Sequence, residues 1–76
     1  MNQTQPIQLS PNELHDWLKK KSSKPLLIDV REDQEIALAP FPEPVMHLPL
    51  SKASTWMKTL PAKLANIQQV VVLCHA

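Results

Sequence analysis

The chain has 76 residues, 43% of them apolar and 20% charged, with a formal net charge of +1. That length fits one small domain or part of one, and the composition fits a soluble globular protein rather than a disordered one. So small a net charge gives no case for nucleic acid or an anionic membrane as partner.

No apolar run approaches the roughly 18 residues of a membrane span. The first six residues, Met1 to Pro6, have neither a basic start nor an apolar core, so no secretory signal is expected. A single Cys cannot form an internal disulfide, and a reducing, cytoplasmic location follows as the default. Glycine is absent, whereas prolines number eight. Average glycine usage is about 7%, so about five would be expected.

In chain order, Ile7-Gln8-Leu9 alternates apolar and polar and reads as a short strand. Ser10-Pro11-Asn12-Glu13 is a helix start. Ser10 can cap, Pro11 fits the first helical position, and Glu13 completes the capping box. Leu14, Trp17 and Leu18 then form one apolar face. Lys19, Lys20 and Lys21 fall in the last turn, where cations favour the helix dipole, and read as a solvated end. Ser22 to Pro25 is a loop. Leu26-Leu27-Ile28 is a strand covered on both faces, ending abruptly in the charged run Asp29-Val30-Arg31-Glu32-Asp33.

Gln34 to Ala39 suits a short helix. Pro40, Pro42 and Pro44 forbid regular structure around Phe41. Val45 to Leu48 is a strand closed by Pro49. Ser51 can cap a further helix, with Ala53, Trp56, Met57 and Leu60 on its buried face until Pro61 interrupts. Leu64 and Ile67 extend the apolar contact. Val70-Val71-Val72-Leu73 is a buried strand with Cys74 at its carboxyl end. Strands alternating with helices predict an α/β fold around a parallel sheet with right-handed crossovers.

Chemistry in open α/β sheets sits beyond the carboxyl ends of strands. Cys74 stands at such an end and is the leading nucleophile candidate. The competing reading is a buried cysteine acting as a small hydrophobe. A dyad with His75 is disfavoured, because neighbours on a strand point to opposite faces. His15 and His47 read as surface or packing residues. One Cys and three scattered His give no metal-binding spacing, so no metal is expected. No cofactor is called for, and a Gly-rich phosphate loop is impossible here. Asp29, Arg31 and Glu32 read either as electrostatic groups at a site or as an Arg–carboxylate clamp fixing the loop, the clamp being favoured. Trp17 and Trp56 read as core, and Phe41 as a possible pocket rim.

Four segments together resemble the rhodanese superfamily of sulfurtransferases. They are Leu9-Ser10-Pro11-Asn12-Glu13-Leu14, Leu26 to Glu32 with Glu35 soon after, His47-Leu48-Pro49-Leu50, and Val70 to Cys74. The resemblance implies a three-layer sandwich around a five-stranded parallel sheet. It implies a cysteine that takes sulfane sulfur from thiosulfate or a related small donor and passes the persulfide sulfur to a thiol or cyanide. Cys74 inherits that nucleophilic role, and Asp29 and Arg31 a supporting one. The family's Gly-His-Ile-type segment is replaced here by Pro40 to Met46.

The family's cysteine is followed by an anion-cradling loop and a helix. Here only His75 and Ala76 follow Cys74, so the chain is expected to be the N-terminal portion of such a domain, inactive when free. The resemblance also implies that the family's last strand would lie between the Ile7 strand and the cysteine strand. Two rival readings are a non-catalytic rhodanese-like binding or regulatory module, and a related cysteine phosphatase or arsenate reductase. Oligomeric state is not legible in the sequence.

Overall fold

A computed structural model describes residues 7–20 and 24–74. The expectations for Met1 to Pro6, Lys21, the Ser22-Ser23 part of the loop and His75 lie outside those residues.

Helix α1, Pro11–Lys19, begins where its capping sequence places it. The Glu13 N–H donates to Ser10 Oγ at 3.1 Å, and the Ser10 N–H donates to Glu13 Oε1 at 2.8 Å. Two amides otherwise left without helical partners are thus satisfied. The Ser10 backbone N–H, and then its hydroxyl, hold the Glu13 carboxyl below its ordinary range, since the ionised form accepts better. Leu14 is the buried anchor of the helix. Trp17 and Leu18 are half-buried, so Trp17 flanks the core rather than filling it. Lys19 and Lys20 are solvated.

Strand β1, Leu26–Asp29, is the centre of the fold. Leu27 and Ile28 point to opposite faces and both are buried, as an apolar run covered on two sides requires. Helix α2 follows over Asp33–Leu38, and strand β2 is only Met46–His47. A 3₁₀ turn over Leu50–Lys52 leads into the one-turn helix α3, Ala53–Trp56. Helix α4, Leu60–Lys63, precedes strand β3, Val70–Leu73. The three strands form one parallel sheet in the order β2-β1-β3. The fold is therefore mixed α/β around a small parallel sheet.

Several expectations need correction. Ile7-Gln8-Leu9 is not a strand. Three residues hold an extended ladder only beside a partner, and no described strand pairs with them. Ser51 does not cap a helix; it lies within the 3₁₀ turn, and its hydroxyl is used elsewhere. The long helix expected from Ala53 onward is two short ones. Pro61 starts α4 rather than merely interrupting, because proline is tolerated in a first turn. Ala53, Trp56 and Leu60 are half-buried, but Met57 is exposed.

The largest correction concerns β3. It is an outer strand, with Val70 37% and Val72 56% exposed, not a buried one. An apolar run records what a strand can bury, whereas burial also needs a covering partner. The apolar core among the described residues is Leu14, Leu27, Ile28 and Leu48. Ile28→Ala is expected to cost about 3 kcal/mol of unfolding free energy, and Leu38→Ala on the exposed end of α2 about 0.5 kcal/mol or less. Urea titrations of the two variants check this ranking.

Candidate functional site

The carboxyl end of β1 is built around a buried charge. Asp29 is 0% exposed. Burying a carboxylate is costly unless it is paired and hydrogen-bonded. Arg31 supplies both: Nη2 donates to Oδ2 at 2.9 Å, and Nε donates to Oδ1 at 3.0 Å. The Arg31 backbone N–H adds a third bond to Oδ1 at 3.0 Å. Arg31 Nη1 meanwhile donates to the Ala39 carbonyl at 2.9 Å, past the end of α2. The clamp reading of Asp29 and Arg31 describes this geometry.

The Arg31 hydrogen bonds hold the Asp29 carboxyl below its ordinary range, outweighing the upward push of burial. Asp29 in return holds the Arg31 proton more firmly.

Neighbouring groups extend the brace toward β2. The Leu48 N–H donates to the Asp29 carbonyl at 2.9 Å, and the Leu50 N–H to the Val30 carbonyl at 3.2 Å. His47 Nε2 lies 2.8 Å from the Arg31 carbonyl, which can only accept, so Nε2 carries a proton. Its Nδ1 stands 3.8 Å from Asp33. Glu32 does not join the clamp. Its carboxylate accepts from the Ser51 hydroxyl at 2.5 Å and from the Ser51 N–H at 3.1 Å. The Ser51 hydroxyl, then its amide, lowers the Glu32 carboxyl below its usual range. Glu32 thereby links the start of α2 to the 3₁₀ turn after β2. Sequence reasoning assigned no such role to His47 or Ser51. Only the charged run at the strand end hinted at it.

Cys74 lies on the other side of β1. Asp29 pairs with Leu73 in the ladder, and the Val30 N–H donates to the Leu73 carbonyl at 3.0 Å. Cys74 follows at once and is exposed, so it is not a small hydrophobe sealed in a core. Cys74, Asp29 and Arg31 thus meet at one carboxyl edge. The strand order puts β1 between Cys74 and His47. His15 is exposed on α1.

An open groove of about 1490 Å³ runs beside β3, with Cys74 and Arg31 both on its wall. Leu9, Trp17 and Phe41 are among its apolar lining residues. Among the described residues, no group of three His, Cys, Asp or Glu stands close enough to hold a metal. No helix among them is long and apolar enough to cross a membrane. Comparison with protein-family models, with curated proteins and with solved structures found no match.

The sign of the pH dependence follows from the clamp. Asp29 has its folded-state pKa lowered from an unfolded value near about 3.9. Its contribution to stability is complete above that pH and is lost as pH falls through the folded-state value. Asp29→Ala is expected to cost about 3 kcal/mol at neutral pH, the loss typical of breaking a buried pair. Denaturant titrations at several pH values should show the gap to wild type narrowing below about pH 4. A gap independent of pH would mean that the charge of Asp29 contributes nothing.

Proposed function

We propose that this chain carries the nucleophile of a rhodanese-like sulfurtransferase, with Cys74 as the sulfur-carrying residue. The observation that supports the reading most is the exposed Cys74 at the carboxyl end of a parallel strand, beside the Asp29–Arg31 corner. The Asp-Val-Arg-Glu segment and the downstream strand-Cys are the two motifs on which the resemblance rests.

The reaction proceeds in two displacements. The Cys74 thiolate attacks the outer, sulfane sulfur of thiosulfate. A sulfur–sulfur bond forms at Cys74 as the sulfur–sulfur bond of thiosulfate breaks. Sulfite leaves with the electron pair of that bond. An acceptor thiolate or cyanide then attacks the terminal persulfide sulfur. Thiocyanate or a new persulfide is released, and the Cys74 thiolate is restored. No net redox equivalent and no cofactor is needed.

In this scheme Asp29 and Arg31 position rather than react. Both Asp29 oxygens accept bonds from Arg31, and all three guanidinium nitrogens are engaged. The clamp fixes the turn after β1, and β1 fixes the end of β3 through the Val30–Leu73 hydrogen bond.

The loading half-reaction can be tested alone. Intact-protein and peptide mass spectrometry after incubation with thiosulfate should find one sulfur atom added at Cys74. Cyanide should then remove that sulfur as thiocyanate in a single stoichiometric round, whereas catalytic turnover is not expected of the free chain. Cys74→Ser should abolish both. A folded protein whose Cys74 stays unmodified by thiosulfate and by small-molecule persulfide donors would overturn the proposal.

A further inference from the structure

The charges of this chain are sorted along its strands. All seven acidic residues lie between Glu13 and Glu43, and the stretch from Pro44 onward carries Lys52, Lys58 and Lys63 with no Asp or Glu. A second acid-free stretch, residues 17–28, carries four lysines. Asp29, Glu32, Asp33 and Glu35 gather where β1 ends and α2 begins.

The two acid-free stretches meet at the opposite edge of the sheet. Helix α1 ends at Lys19 with Lys20 as its cap, and Lys24 opens the approach to β1. Lys63 closes α4, which delivers the chain to β3. The Leu26 N–H donates to the Gln69 carbonyl at 2.9 Å, so the amino ends of β1 and β3 stand side by side. Lys19 shares the groove wall with Gln68 and Gln69, and Lys24 lines a second depression, of about 470 Å³, with the same pair. Asn66 and Ile67 line that depression too. Strand β1 has four residues, which sets this edge about 13 Å from the carboxyl edge beside Cys74.

Both ion pairs among the described residues, Arg31–Asp29 and His47–Asp33, belong to the carboxyl edge. Lys19, Lys20, Lys24 and Lys63 are exposed and join neither. Asp16, one turn back on α1, offsets part of the charge of Lys19 and Lys20. Lys24 and Lys63 have no acid within four residues on either side. A net charge of +1 therefore conceals a positive edge and a negative one.

We infer that the amino edge around Lys24 and Lys63 is a docking surface for an acidic segment of another protein, an extended peptide bearing Asp or Glu side chains. Lysine ammonium groups meet carboxylates as point charges, and the Asn66, Gln68 and Gln69 amides offer donors and acceptors to a peptide main chain. Nucleic acid fits less well. The edge has no Arg fork for phosphate and no aromatic side chain lining the depression on which a base could stack. An anionic membrane would ask for a broader apolar face than Ile67 supplies. None of this uses the outer edge of β3. The inference does not rest on sulfur transfer, because a partner held here leaves Cys74 at the far edge uncovered.

NMR titration of the full isotope-labelled chain with a short oligoglutamate peptide tests it, at about 0.15 M salt to screen long-range attraction. Amide shifts should concentrate at Lys24, Leu26 and residues 66–69, with Arg31 to Asp33 unmoved. Lys24→Glu with Lys63→Glu should weaken binding about tenfold or more, since like charges then face each other. Lys24→Arg with Lys63→Arg should keep it, and Lys52→Glu, at the carboxyl edge, should leave it unchanged. Titrations with oligothymidylate of equal charge and with phosphatidylserine-containing vesicles should show weaker binding than the peptide. No binding of the peptide, shifts centred elsewhere, equal weakening by Lys52→Glu, or binding of oligothymidylate or vesicles as tight as that of the peptide would each overturn the inference.

Discussion

The buried carboxylate of Asp29 is the constraint from which the rest of the architecture follows. A charge without solvent exposure must find its partners locally, and Arg31 is only two residues away. Meeting Asp29 with side chain and amide together forces the chain to turn sharply as β1 ends. The same guanidinium also reaches the Ala39 carbonyl. One side chain therefore ties both ends of the excursion through α2 to the strand it leaves. The turn leaves its own carbonyls available, and β2 uses them. Leu48 takes Asp29, His47 takes Arg31 and Leu50 takes Val30. The place of β2 beside β1 is thus a consequence of how Asp29 is neutralised.

The two sides of β1 differ in kind. Toward β2, short pairing is reinforced by polar cross-braces, including the Glu32–Ser51 bond and the Trp56 indole donating to the Pro49 carbonyl at 2.9 Å. Toward β3, the ladder is longer, but the outer face of the strand stands in water. The nucleophile candidate belongs to the side whose outer strand is exposed, while the charged brace belongs to the other. Val30 is the joint between them, donating its N–H to Leu73 and lending its carbonyl to Leu50.

Much of the local structure was legible in the sequence because it depends on near neighbours. Ser10, Pro11 and Glu13 define the start of α1 by contacts three residues apart. The Leu26-Leu27-Ile28 run specified a two-sided strand, and the proximity of Asp29 to Arg31 allowed a clamp. What was not legible depends on distant partners. Nothing adjacent to Ser51 announces that its hydroxyl will be taken by Glu32, 19 residues earlier. The same holds for His47 and the Arg31 carbonyl, 16 residues apart. Hydrophobicity and β-branching overstate the burial of β3, because they express a tendency that a neighbour must complete. Ile7-Gln8-Leu9 failed as a strand for the same reason, its alternation being intact but unpartnered.

The saturation of the clamp also bears on where chemistry can occur. A carboxylate with both oxygens occupied by a guanidinium is poorly placed to take a proton from a substrate. Of the five N–H donors of Arg31, the three that hold Asp29 and Ala39 can turn to another anion only by releasing one of those partners. Either release would expose a buried charge or loosen the end of α2. The pair is therefore better suited to holding geometry than to changing partners during a reaction. Cys74 differs in both respects. It is exposed, and it borders the open groove rather than the brace. A reacting molecule can reach its sulfur without dismantling anything that holds β1 and β2 together. That separation sets an accessible thiol beside a rigid polar corner without making either depend on the other.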